Sequence, residues 1–339
     1  MFDRQLRLSL RLIAMDERTR CLFCFEAAGV QQVCFCKAAC HIGCLAKLVA
    51  GQCKTACPIC RRPLRPDVLT ECFAHAHNLN VRSLGASHPD SKLSQLNLAS
   101  SLALAGRSED ALRELAELRS GAGRVDECLR IVSDIEYSNV LAESGRPHEA
   151  IPILHDIVAK ISFTGSCPTR RYFWLQAMLG MGCALLQVGL FDRAKAFFEM
   201  SLQSSRQMES APPHQRLPFE KILRGLAACL EAEGKFEKAV DCLRVLAQKH
   251  TRRHSDSVTR ADLHVEWCTL EIRCGRNNAS TLARLQEATR VARQAAKMGD
   301  HRAPSLLDEA LGALSEVVPQ RVARRRLRRK THLEDLELP

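Results

Sequence analysis

The chain has 339 residues, of which 46% are hydrophobic and 26% charged, too long for a single core and too apolar to stay disordered. The formal net charge is +11, but Arg321, Arg324, Arg325, Arg326, Arg328, Arg329 and Lys330 contribute seven of those charges and leave +4 for the rest. So mild a body gives no reason to expect a nucleic-acid partner, and apolar runs such as 177–186 fall short of the roughly 20 residues of a membrane span, so no transmembrane segment is expected.

Residues 1–20 form a basic, leucine-rich N-terminal segment with Arg4, Arg7 and Arg11. Transit peptides are poor in acidic residues, and Asp3, Asp16 and Glu17 speak instead for packing beside the module that follows.

That module is announced by cysteine. Ten of the 17 cysteines fall between Cys21 and Cys72. Disulfide scaffolds belong to short secreted domains, and no signal peptide is read ahead of the cluster, so a reducing compartment and a metal are expected. The residues pair as Cys21-x-x-Cys24, Cys34-x-Cys36, His41-x-x-Cys44 and Cys57-x-x-Cys60. Each pair supplies half of a tetrahedral zinc site, so eight ligands predict two Zn2+ per chain. So short a segment holds little apolar core, and the metal must carry much of its folding. Cys40 is adjacent to His41, and neighbouring residues about 3.8 Å apart at Cα do not serve two well-separated metals. Cys40 is therefore left out, as is Cys53, which has no paired neighbour.

The ligand order and spacing over 21–64 resemble the RING-CH variant of the RING family. The resemblance implies interleaved sites, with Cys21, Cys24, His41 and Cys44 on one zinc and Cys34, Cys36, Cys57 and Cys60 on the other. It also implies a RING-type ubiquitin ligase that receives a ubiquitin-conjugating enzyme on Phe23, Leu48 and Pro58. Arg61, directly after the last ligand, matches the arginine that holds the charged conjugate in its reactive conformation. Leu48 stands where many RING domains carry tryptophan. A PHD finger shares the ligand order and would make the module a histone-tail reader, but Thr55 replaces its usual tryptophan and the Cys34-x-Cys36 spacing is short. A zinc-held, non-catalytic interaction scaffold is the other alternative.

Residues 67–90 read as a linker, with Gly85, Ser87, His88, Pro89 and Asp90 as its turn-rich part. From 91 to 318 a repeat emerges: Gly106, Gly145, Gly189 and Gly234 each stand five residues before an alanine, at intervals of 39, 44 and 45 residues, and Gly275 follows after 41 more. A period of this size signals a stacked array. The small residues Ala99, Ser138, Gly182 and Ala227, and the leucines Leu102, Leu141, Leu185 and Leu230, recur in register. These units resemble the tetratricopeptide repeat, in the longer form of the kinesin light chain type.

Such an array implies a groove for a protein or peptide substrate or an adaptor, and helical phase points Asn139, Arg224 and Glu231 toward it. His148 and His155 lack a third metal ligand, and the cysteines from Cys128 onward read as small core residues. Residues 319–339 form a basic C-terminal tail, read as a solvated helical extension in which Val322 and Leu327 cap the last repeat, or else as a nuclear-localisation element. The expected fold is mostly α: a small zinc-stabilised RING-like α+β module followed by a tetratricopeptide-like solenoid. An intracellular protein is expected, cytoplasmic in the first instance.

Overall fold

The computed structural model describes residues 21–26, 29–34, 38–52, 55–59, 64–120, 127–161, 168–207, 219–252, 257–276, 278–297, 300 and 302–317. The chain divides into two compact units, 1–188 and 189–339. The fold class is the expected one: a small Cys/His module with two short strands precedes a predominantly helical chain.

Unit 1 opens with strand β1 (Gln31–Gln32) paired antiparallel to β2 (Ala39–Cys40), with Gln31 opposite Cys40 and Gln32 opposite Ala39. Helix α1 (Ile42–Gln52) follows directly. Val33, Leu45 and Val49 are fully buried around the cysteines.

Most of the stretch 67–90, read from sequence as linker, lies in helix α2 (Pro66–Leu84), which starts with a proline in its first turn and stops at Gly85, φ +87°. Val68, Leu69, Cys72 and Ala76 lie along one helical face and are buried. The first three join the same core as Cys34, Cys40 and Cys57, so α2 completes the module rather than leaving it. Gln31 donates a 2.9 Å hydrogen bond to Glu71, and a side chain at Gly43 would come within 3.2 Å of His75. On its other side α2 meets α3 (Pro89–Leu104), where the Thr70 hydroxyl donates to the Ser101 carbonyl at 3.1 Å.

Helices α4 (Ser108–Ser120), α5 (Glu127–Glu143), α6 (Pro147–Lys160) and α7 (Pro168–Gln187) complete unit 1. Each packs on its predecessor, and α7 also packs on α5, the stacking expected of a helical repeat. Unit 2 repeats the pattern with α8 (Phe191–Gln207), α9 (Phe219–Ala232), α10 (Phe236–Arg252), α11 (Ser257–Arg273) and α12 (Ala279–Lys297). A final helix, α13, covers 303–317.

The turn inside a pair has one chemistry. Gly106 has φ +75°, a backbone that L side chains avoid. Its N–H donates to the Ala103 carbonyl at 3.0 Å and the Arg107 N–H to the Leu102 carbonyl at 2.9 Å, the paired bonds of a Schellman cap. Gly145, Gly234 and Gly275 have the same two bonds and the same sign of φ, so Gly275 belongs to a fifth copy. A side chain at any of these turn glycines would meet nothing within 4 Å; the left-handed backbone, and not space, requires glycine there. Beyond each turn Ala111, Ala150, Ala194 and Ala239 are fully buried.

Candidate metal centre

The module brings Cys21, Cys24, His41 and Cys44 together, with their ligand atoms all within 4.8 Å of one another. Local backbone sets this up. Cys21 and Cys24 sit on a tight turn in which the Phe25 N–H returns to the Cys21 carbonyl at 3.0 Å, while the Cys21 N–H donates to the Glu26 carbonyl at 2.9 Å. Phe25 closes the turn at φ +62°. The turn is tied to the hairpin by the Leu22 N–H on the Ala39 carbonyl, 3.2 Å. The strand β2 then delivers His41, and the first turn of α1 carries Cys44.

His41 Nδ1 lies 3.1 Å from Cys24 Sγ and 3.9 Å from Cys44 Sγ. Tetrahedral zinc with Zn–S near 2.3 Å and Zn–N near 2.0 Å sets its ligand atoms about 3.5–3.8 Å apart, so the group fits one ion with small closure. Three thiols and one imidazole are also the donor set of structural zinc sites, and the four residues could hold a metal ion.

The thiols are not alike. Burial works to raise Cys21, but the backbone N–H groups of Cys24, His41 and Phe23 and the Cys24 side chain outweigh it and bring the thiol down to about 6. Two of those donors, the Phe23 and His41 amides, each lie 3.5 Å from the sulfur. Cys44 is pushed up to about 11 by burial and by its hydrogen bonds with Cys24 and Cys21. Donors aimed at Cys21 Sγ favour its ionised form, the form that binds a cation.

Cys40 lies outside the four. It is fully buried, and burial, followed by the charges of Cys21, Cys44 and Cys57, raises its thiol to about 12. Among the described residues one metal-capable group forms, where two were expected. Cys34 and Cys57 are buried in the module core, whereas Cys36 and Cys60 lie outside the described residues, as do Cys53 and Arg61.

Of the residues expected to receive a conjugating enzyme, Phe23 is 37% exposed and Pro58 is exposed, while Leu48 is half-buried and packs against the module core. Ile59, 61% exposed, and Phe25, 72% exposed, were not singled out. Ile59 stands between Cys57 and Cys60, so an apolar residue between two expected ligands was a usable signal.

The expected groove residues are engaged within the array. Arg224 pairs with Glu220 at 3.2 Å, with Asp262 at 2.9 Å and with Glu266, and Glu231 pairs with Arg273. These contacts tie α9 to α11, the first helices of successive units. Asn139 packs where a side chain at Gly180 would come within 2.9 Å of its carboxamide. His148 and His155 are exposed and belong to no metal-capable group among the described residues. Cys229 and Cys268 are fully buried, while Trp267 is half-buried under the Arg284 guanidinium, 4.2 Å from the ring centre. No helix among the described residues is long and apolar enough to cross a membrane.

No family model matches the chain, and no curated protein matches it. Among solved structures it is similar to the crystal structure of a Podosopora anserina putative kinesin light chain with nearly identical TPR-like repeats, at 19% identity over 68% of this chain and 98% of that one, TM-score 0.39. A singly substituted form of that protein is similar at 19% identity over 69% and 99%, TM-score 0.39.

Proposed function

We propose that the chain is a RING-type ubiquitin-protein ligase whose Cys/His module holds two zinc ions and whose helical repeats bind a substrate or adaptor. The observation that carries this reading is the Cys21, Cys24, His41 and Cys44 group with an exposed Phe23 between two of its ligands. Zinc supplies folding energy to such a module and takes no part in a reaction step. The second site would use Cys34, Cys36, Cys57 and Cys60. Phe23, Leu48 and Pro58 would receive the conjugating enzyme, and Arg61 would hold the thioester conjugate in its reactive geometry. The ligase contributes proximity and orientation, and the attacking amine comes from the substrate.

A second reading, a non-catalytic zinc-held scaffold, draws on one observation. Leu48 is half-buried against the module's own core, which leaves less apolar area for a partner than an exposed aromatic would. Both readings expect zinc, and they part on catalysis. The test is discharge of ubiquitin-loaded conjugating enzymes by the full chain, with zinc measured on the same sample. Discharge lost in Cys21→Ser and weakened in Arg61→Ala supports the ligase. Two zincs per chain with no discharge across a panel of conjugating enzymes leaves the scaffold, and binding of histone-tail peptides would instead indicate a reader.

A further inference from the structure

Helix α13 repeats the buried pattern of α11. Val258, Ala261, Val265, Cys268 and Ile272 on α11 and Ala303, Leu306, Ala310, Ala313 and Val317 on α13 have the same spacing and join one core. Each position on α13 therefore has its counterpart 45 residues earlier, with Ala313 matching Cys268 at the small position. Arg302 donates to the Thr259 hydroxyl at 3.2 Å, which sets the starts of the two helices side by side. The helix α13 is thus the next first helix of the array.

The two helices differ in one row. Arg224 on α9 meets Asp262 and Glu266 on α11, so its position on one first helix faces those two positions on the next. One step along the array, the same three positions hold Val265, Leu307 and Leu311. A row of ion pairs has become an apolar one. Val265 is buried and Leu307 is half-buried against the core, while Leu311 is 40% exposed. Leu314, half-buried, stands where α11 carries Thr269, and helical spacing places Leu307, Leu311 and Leu314 on one stripe.

Carboxylates flank this stripe on both sides. Asp262 and Glu266 border it from α11, their side chains 39% and 36% exposed, and the exposed Asp308 borders it on α13 itself. The helix also exposes Glu309 and Glu316 and carries no lysine or arginine, and Arg302, just before it, is paired with Asp300 at 3.0 Å. The chain as a whole has a formal net charge of +11, so a cationic partner gains nothing from its general field and is held only where carboxylates gather. The same acidic border works against a second copy of α13 lying on the first, because like charges would then face each other.

We propose that the stripe of Leu307, Leu311 and Leu314 receives a basic amphipathic helix from a partner protein, with its apolar side chains on the leucines and its lysines or arginines on Asp262, Glu266 and Asp308. The mode is that of a helix laying its apolar face into a groove. The proposal rests on the partner-binding half of the function proposed above and is independent of ubiquitin transfer.

The probe is a synthetic peptide of about 18 residues with leucines on one helical face and lysines on the other, titrated with the full chain and followed by fluorescence anisotropy. Wild type is expected to bind it at least about tenfold more tightly than a peptide of the same pattern with glutamate in place of lysine. Leu311→Lys should weaken binding at least about tenfold and leave Tm within about 2 °C of wild type, since the leucine it replaces is exposed. Asp308→Lys should weaken binding less, and chiefly at low salt. Absence of binding, equal affinity for the two peptides, or equal affinity of wild type and Leu311→Lys overturns the proposal. So does a dimer by light scattering that Leu311→Lys dissociates, because a second copy then covers the stripe. Binding seen only after Arg324, Arg325 and Arg326 are all changed to glutamate overturns it as well, because the chain's own tail is then the occupant. Peptide binding without ubiquitin discharge removes the ligase reading and leaves this one standing.

Discussion

The Thr281 hydroxyl donates a 2.6 Å hydrogen bond to the Glu271 carboxylate in the core of the fifth unit. Glu271 stands four residues before Gly275, where Leu102, Leu141, Leu185 and Leu230 stand in the other units. Thr281 occupies the place of their fully buried alanine. A buried carboxylate without partners would be costly, and Arg284 completes the set by pairing with Glu271 while its guanidinium covers Trp267. Buried positions that are apolar in the other units hold a polar triad here.

Removing one member of this triad should therefore hurt more than removing all three. Glu271→Leu leaves the partly buried Arg284 without its carboxylate, while the Thr281 hydroxyl keeps the Arg276 carbonyl at 3.1 Å as an acceptor, and should cost about 3 kcal/mol. The triple change Glu271→Leu, Thr281→Ala, Arg284→Met restores apolar packing and should return to within about 1 kcal/mol of wild type or exceed it. Urea midpoints followed by tryptophan fluorescence measure both, and additive losses would show that the three do not act together.

The repeats and the two ligand pairs of the metal group were legible in sequence because each rests on short-range chemistry, whereas joining the pairs into one group came from the RING-CH resemblance. A left-handed turn selects glycine at Gly106 and Gly145, a close packing site selects alanine at Ala111, and two-residue gaps between ligands bring Cys21 to Cys24 and His41 to Cys44. What was missed depends on long-range contact. Residues 67–90 read as linker because of the turn-rich stretch from Gly85 to Asp90, yet Cys72 lies within the module core and His77 approaches Ser94 Oγ on α3 at 3.2 Å. Arg224 and Glu231 were read as facing a groove, but their partners Asp262, Glu266 and Arg273 come from a helix about 40 residues away in sequence, where no local rule looks.

The shared core makes α2 a reporter of the metal. Leu64, Val68, Leu69 and Cys72 pack with Cys21 and Leu45, so ligand loss should loosen them together. Chelation of zinc at the Cys21, Cys24, His41 and Cys44 group is expected to raise hydrogen exchange at least about tenfold in 42–50 and 66–76, while α9 to α12 keep their protection. Unchanged exchange in α2 would show that the helix folds without the module.

Two glycines should fail for opposite reasons. A side chain at Gly225 would lie 2.3 Å from the Phe198 ring, a residue with no exposure, so Gly225→Ala overpacks the core and should cost about 1–3 kcal/mol. Phe198→Leu in the same chain should recover part of that loss. Gly234 has φ +72° and open space, so Gly234→Ala should cost about 1–2 kcal/mol through the backbone alone. Phe198→Leu should bring no recovery there, and Gly234→Asn should be milder than alanine, since asparagine tolerates the left-handed region. Equal rescue of both alanine variants by Phe198→Leu would refute the distinction.

Acid should weaken the fifth unit through His264. Burial holds its imidazole below the usual value, with Arg284 and Arg260 adding to the effect and Glu287 opposing it, and the ring meets Trp267 edge-on at 6.2 Å. The folded chain therefore takes up this proton less readily than the unfolded chain, whose histidine titrates near 6.5. Above that pH both states are neutral and the full stability is present. As pH falls the unfolded state protonates first, so stability declines until the folded-state value is passed. Urea midpoints at about pH 7.5 and about pH 5.5, read on Trp267 in a Trp174→Phe background, should fall on acidification. In His264→Gln the fall should shrink. An identical fall in both proteins would place the acid sensitivity elsewhere.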